Sequence, residues 1–227
     1  MKRSEINRLI EEAKDLLGKS NIALPPFAYW TPEDWRSKGH ECDEIRDCRL
    51  GWDVTDFGSG RFGETGLILF TVRNGHPTRT EYGAKTYCEK LLLLKPGQRC
   101  PMHFHRSKTE DLINRCGGSL VFRICNSTSD GRLASTDVTV SMDGVQKTLP
   151  AGSEVVLGPG ASMTVPDFLY HEFRAGEGGG PVVAGEVSKV NDDTSDNRFL
   201  EPVGRFPEIE EDCPPVHYLC TEYPPAR

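Results

Sequence analysis

The chain has 227 residues, 37% hydrophobic and 27% charged, with a formal net charge of −7. That is enough chain to bury a core without disulfides or a structural metal, and the balance is that of an ordinary globule. The mild acidity argues against nucleic acid and anionic membranes as partners, since both reward basic surfaces.

No apolar run approaches the length of a membrane span, and no apolar stretch followed by small residues opens the chain, so a cytoplasmic location is expected. The eight cysteines form no CxxC pair and read as reduced, mostly buried thiols.

The first element is a helix. Ile6, Leu9, Ile10, Ala13, Leu16 and Leu17 recur at three- and four-residue spacing, with Ser4 placed to cap the start and Gly18 to stop it. A second, short helix is expected from Pro32 to Lys38 behind an N-cap at Thr31, with Gly39 following.

From about Asp53 the texture changes to short apolar runs. These are Gly66 to Val72, Lys85 to Leu94, Ser119 to Cys125, Val138 to Met142, Ser153 to Leu157, Ser162 to Val165, Tyr170 to Arg174 and Val182 to Val190. Turn pairs such as Asn74-Gly75, Asp143-Gly144 and Pro159-Gly160 separate them. The pattern predicts an all-β sandwich or barrel, and the lack of intervening long helices excludes a doubly wound parallel sheet. Residues 191–198 read as a polar loop. The proline-rich tail from Glu201 reads as an extended arm over the domain or over a partner subunit. The expected organisation is one domain over 1–227: a helical extension over 1–52, a barrel over 53–190, and a loop and C-terminal arm over 191–227.

The stretch from Gly97 to Gly117 carries the chemistry. His103 and His105 sit two apart, which on a strand places both imidazoles on one face. Lys108 and Glu110 share that parity, with Ser107 a possible break. Two imidazoles and a carboxylate on one surface suit a divalent metal. The spacing Gly97-x5-His103-x-His105-x4-Glu110-x6-Gly117 resembles the first signature motif of the cupin superfamily. Gly160-x5-Pro166-x4-His171 resembles the second, with Phe168 where a glycine is usual and Ala175 where an asparagine often stands. The resemblance makes His103, His105, Glu110 and His171 the metal ligands and the fold a cupin jelly-roll β-barrel.

A closer resemblance, covering most of the chain, is to bacterial D-lyxose isomerases. It is carried by the N-terminal helix, the run Cys100 to Asp111, Gly185 to Asp193, and Asp196-Asn-Arg-Phe199. It implies one divalent ion per subunit, usually Mn²⁺, and aldose–ketose isomerisation of free sugars. D-lyxose to D-xylulose is the leading reaction, with D-mannose to D-fructose as a side activity. A homodimer is the expected assembly.

Such a reaction removes a proton next to a carbonyl, and a divalent cation eases it by stabilising the enediolate that develops. Glu186 is the first candidate base, because a carboxylate in the apolar strand from Val182 to Val187 needs a reason to be there, and burial is expected to raise its pKa toward neutrality. On an outward strand face it would be an ordinary surface acid. Lys108, between two candidate ligands, is the candidate acid or charge stabiliser. Lys90, Asn191, Asp192, Asp193, Asp196, Asn197 and Arg198 are candidate sugar contacts, although Asx residues also build turns. Two other classes stay open: an iron cupin dioxygenase, which calls for an apolar pocket, and a sugar-binding cupin without catalysis. A sugar-phosphate isomerase would need a cationic cluster that is not evident.

Overall fold

The computed structural model describes residues 1–192, 195–204 and 206–226. Helix α1 (Arg3–Lys19) buries Ile6, Leu9, Ile10, Ala13 and Leu17, as the spacing predicts. Its ends differ from expectation. Ser4 lies inside the helix, and Lys2 holds the cap position without a side-chain bond. The cap comes instead from the C-terminal arm. Asp212 accepts hydrogen bonds from the Ser4 N–H at 2.9 Å and the Ser4 hydroxyl at 2.6 Å, which also sets a negative charge at the positive end of the helix dipole. Gly18 is helical, and the chain turns away at Asn21, whose φ of +56° is left-handed.

Helix α2 (Pro32–Trp35) opens on Thr31 through a reciprocal capping box with Asp34, but it stops short of Lys38. A third helix, α3 (Asp43–Asp47), has no counterpart among the predicted elements.

The strands are β1 (Gly51–Thr55), β2 (Leu67–Arg73), β3 (Tyr87–Leu94), β4 (Arg99–His105), β5 (Glu110–Gly117), β6 (Leu120–Asn126), β7 (Val138–Met142), β8 (Val145–Leu149), β9 (Glu154–Leu157), β10 (Ser162–Val165), β11 (Leu169–Ala175), β12 (Val182–Lys189) and β13 (Asn197–Phe199). They form an eight-stranded sheet, β1-β2-β3-β12-β5-β10-β7-β8, and a five-stranded sheet, β13-β4-β11-β6-β9. Every pairing between these strands is antiparallel. This is the cupin-type β-sandwich that the motifs imply. The first strand begins at Gly51, slightly before the expected boundary, and part of the segment expected to be a loop forms β13.

Strand alternation produces two cores. Leu67, Leu69, Leu92, Leu94, Val182 and Ala184 point between the sheets and pack with Phe122, Ile124 and Phe173. Their neighbours Ile68, Phe70, Leu91, Leu93 and Val183 point outward and pack under α1. Leu91 to Leu94 is a continuous apolar run because both faces of β3 are covered. Each of these side chains contributes about 1.5–3 kcal/mol by leaving water, so α1 is part of the apolar packing and not an appendage.

The arm closes over the same side. Arg3 donates to Glu211 at 2.9 Å and to Glu222 at 3.1 Å. Tyr223 stacks on Trp35 with ring centres 4.2 Å apart and donates to the Leu50 carbonyl at 2.8 Å. Gly51 makes room for it: a Cβ there would lie 2.0 Å from the Tyr223 hydroxyl. Among the described residues, no helix is long and apolar enough to cross a membrane.

Candidate active site

The candidate site lies between the sheets. From the smaller sheet come His103 and His105 on β4 and His171 on β11; His103 and His171 are cross-strand partners. From the larger sheet come Glu110, Glu186 and Lys90, on β5, β12 and β3, with Glu186 and Lys90 also directly paired. Glu110 does not share a strand face with the two histidines. The turn through Ser107 carries the chain from one sheet to the other, so the carboxylate meets them from across the sandwich.

One potential ligand atom from each of the three histidines lies within 4.8 Å of the others. His103 Nδ1 is 2.7 Å from the Pro101 carbonyl and His171 Nδ1 is 3.0 Å from the Leu169 carbonyl. A carbonyl only accepts, so each Nδ1 must carry the proton and each Nε2 presents a lone pair. The buried His171 Nε2 has no hydrogen-bond donor, yet Glu110 Oε1 faces it at 3.1 Å. Glu110 Oε2 is 3.4 Å from His105 Nε2. Acceptors converging on one buried point are reconciled by a cation between them, and three imidazoles with one carboxylate fit a divalent transition metal.

Charge is arranged in pairs. Buried Lys108 donates to Glu186 Oε1 and lies against Glu110 Oε2, both at 2.8 Å, and reaches Asn191 Oδ1 at 3.3 Å. Lys90 Nζ lies 3.7 Å from Glu186 Oε1, which also accepts from the Ser188 hydroxyl at 3.1 Å.

These contacts correct one expectation. Burial does push the Glu186 carboxyl up, but Lys108 and Lys90 outweigh it, and the group is held below the ordinary carboxylate range. For Lys108, burial works against the charge, but Glu110 and Glu186 outweigh it and raise the pKa. Burial and the neighbouring imidazoles hold His103 well below the usual histidine value.

His103, His105, Glu110 and Glu186 line a chamber of about 40 Å³ together with Phe57, Phe173 and Phe199. A larger cavity of about 310 Å³ adjoins it, sharing Leu69 and Lys90 and reaching Asp53, Thr71, Asn191 and Asp192.

The other candidates divide. Lys90 is buried and borders both spaces. Asp192 borders the larger cavity and also builds a turn, accepting from the Ser195 hydroxyl at 2.5 Å and the Asp196 N–H at 3.2 Å. Asp193 lies outside the described residues. Arg198 points away from the chamber: on β13 its neighbours Asn197 and Phe199 line it, while the guanidinium sits over Phe104, 5.9 Å from the ring centre, and reaches the Asp130 carbonyl at 3.3 Å. It is therefore removed from the set of sugar contacts.

Ser188 was not singled out, and Asn191 only as a candidate sugar contact, not as a partner of the charged group. Ser188 was within reach, because it stands two after Glu186 and shares its face. Asn191 was not, because its contact depends on where a loop returns.

Comparison with known proteins agrees. Residues 1–223 match the D-lyxose isomerase family model. A D-lyxose/D-mannose isomerase of Serratia proteamaculans is 46% identical over 98% of this chain and 98% of its own length. The protein of that name from Escherichia coli O157:H7 is 44% identical over the same shares. Among solved structures, Cellulomonas parahominis L-ribose isomerase with L-ribose superposes with a TM-score of 0.61 at 19% identity, covering 92% of this chain and 98% of its own, a likeness of fold. On this evidence the chain is an enzyme that belongs to the D-lyxose isomerase family.

Proposed function

We propose that the protein interconverts free aldoses and ketoses, D-lyxose with D-xylulose first and D-mannose with D-fructose second. The observation that carries the reading is Lys108, which ties Glu186 to Glu110 beside the three histidines. This puts an ionised carboxylate and a buried cation beside a cluster suited to a metal. Relatives named for D-lyxose and D-mannose support the choice of sugars. A polar chamber with two lysines and two glutamates favours an isomerase over a cupin dioxygenase.

His103, His105, Glu110 and His171 would hold the divalent ion, Mn²⁺ by resemblance. When bound, it supplies Lewis-acid polarisation of the sugar carbonyl and its neighbouring hydroxyl. Glu186 takes the proton from the carbon beside the carbonyl and returns it to the adjacent carbon. Its carboxylate is already ionised, so no deprotonation has to precede the step. Lys108 keeps its proton beside two carboxylates and donates a hydrogen bond to the oxygen on which negative charge grows. Lys90 holds Glu186 from the other side and borders the space through which the sugar's far end extends.

The reading includes one cupin domain over 1–227, in which α1 shares a core with β1–β3. It also includes a homodimer by resemblance, and a cytoplasmic setting that suits eight free thiols. The test is to load the protein with Mn²⁺ and incubate it with panels of free and phosphorylated aldoses. Ketose is expected from free D-lyxose and D-mannose and only with metal. Turnover confined to phosphorylated sugars, or unchanged after chelation, would overturn the reading.

A further inference from the structure

Two of the three histidines are oriented in the same way, each through Nδ1 and the carbonyl two residues before it. His105 breaks the rule. Its Nδ1 is buried and makes no hydrogen bond, and 3.4 Å away lies Asp196 Oδ2, also buried and also without one. Their side chains are 4% and 8% exposed, so bulk solvent does not reach either atom. Closing that gap by a few tenths of an ångström makes a charge-assisted hydrogen bond.

The other oxygen of Asp196 is engaged. Oδ1 accepts from the Ser107 N–H and the Ser107 hydroxyl, both at 2.8 Å. The Asp196 carbonyl accepts from the Arg106 N–H at 3.0 Å. One residue thus grips the turn 106–107, whose next residue is Lys108, and faces the imidazole just before it. Strand β13 begins at the following residue and pairs with β4, setting Asn197 opposite His105 and Phe199 opposite His103.

Chemistry sets the sign of the contact. A carboxylate only accepts, so facing Nδ1 it holds a proton there and leaves Nε2 as the nitrogen available to a metal. Nε2 is the atom turned toward Glu110. A neutral amide in the same place could present its NH₂ group instead, which selects the opposite tautomer and puts a hydrogen on the atom that has to bind metal.

We propose that Asp196 is a positioning residue for the metal centre: Oδ2 sets the tautomer and ring orientation of His105, and Oδ1 fixes the turn that delivers Lys108. The proposal rests on the metal reading for its purpose, but its first consequence is visible without metal.

The test has two arms. In metal-free, ¹⁵N-histidine-labelled protein, long-range ¹H–¹⁵N spectra recorded over a pH series that reaches the neutral ring identify its tautomer, with the His105 signals assigned through His105→Gln. The parent should show His105 protonated at Nδ1. Asp196→Asn, close in size and still able to hold Ser107, should shift His105 toward the Nε2–H form or a mixture. Mn²⁺ titration by calorimetry forms the second arm. Asp196→Asn should bind about ten- to a hundred-fold more weakly, the loss typical of removing such a partner.

A merely structural role for Asp196 would lower the melting temperature without moving the tautomer. Parent-like spectra together with Mn²⁺ affinity within about twofold of the parent in Asp196→Asn would overturn the proposal. If the parent itself takes up no Mn²⁺, the metal reading fails, and the spectra alone still decide whether Asp196 sets His105. Asp196→Ala serves as a second variant should the amide recover the contact by flipping.

Discussion

His103 and His171 face each other across β4 and β11, ring centres 4.2 Å apart, each tied by Nδ1 to the carbonyl two residues before it. Both Nε2 lone pairs are thereby set before any ligand arrives. Replacing either histidine with alanine should therefore lower Mn²⁺ retained after desalting by tenfold or more and take activity with it. Full occupancy in either variant would remove that residue from the ligand set.

Glu186→Gln keeps the shape of the side chain but not its basicity. It should cut kcat by about 10²–10⁴, the range for a lost general base, with metal content unchanged. Turnover in deuterated water by the parent should place label on carbon 1 or carbon 2 of the sugar. Near-normal turnover of the variant would take Glu186 out of the mechanism. Lys108 is a poor replacement as base, since two carboxylates hold its proton in place.

Gly51 has φ +107° and sits against the Tyr223 hydroxyl. Gly51→Ala adds backbone strain and displaces Tyr223 from both Trp35 and the Leu50 carbonyl. A loss of about 2–4 kcal/mol is expected, read as a lower denaturant midpoint. A midpoint equal to the parent's would show that the arm is not held there.

Asp212 and Glu211 lie below the usual carboxylate range, the first through hydrogen bonds from Ser4, the second through Arg3. Their folded values are depressed, so their contribution is complete above the unfolded value of about 4 and fades as pH falls through the folded ones. Melting temperature should drop below about pH 4, and Asp212→Asn should flatten part of that drop. Both groups are exposed, so the effect should shrink in high salt.

What the sequence disclosed follows from how local each signal is. His103 and His105 were legible as a pair because a two-residue spacing puts both on one strand face, whereas Glu110 and His171 were named through the resemblance to the cupin motifs, since other strands bring them in. Most strands were legible as apolar runs between Gly- and Pro-bearing turns. Strand β8 was not, since Val145, Gln146, Lys147 and Thr148 are all exposed, and an edge strand in water has no burial pattern to show. Strand β13 was hidden because its residues are paired with a strand almost a hundred positions earlier.

Ser4 has a good capping side chain, yet the cap is Asp212. Glu186 lies in an apolar strand, yet its ionisation is ruled by Lys108 and Lys90, which topology delivers from two other segments. Arg198 has the chemistry of a sugar contact but the wrong parity. Long-range partners decided the first two, and the register in which β13 pairs with β4 decided the third.

Asp212 stands 208 residues beyond the helix end that it caps. During synthesis α1 emerges before the strands, and the residues of β1 to β3 that cover its apolar face are present once Leu94 has been added, with Val183 following from β12. Its leading amides and the guanidinium of Arg3 still have to wait for the arm. The sandwich can thus assemble ahead of its fastening, because the contacts of the arm with α1 need residues that follow every strand. A chain stalled after β13 would have the histidines in place, while the start of α1 would still lack the bonds that Asp212, Glu211 and Glu222 make to Ser4 and Arg3.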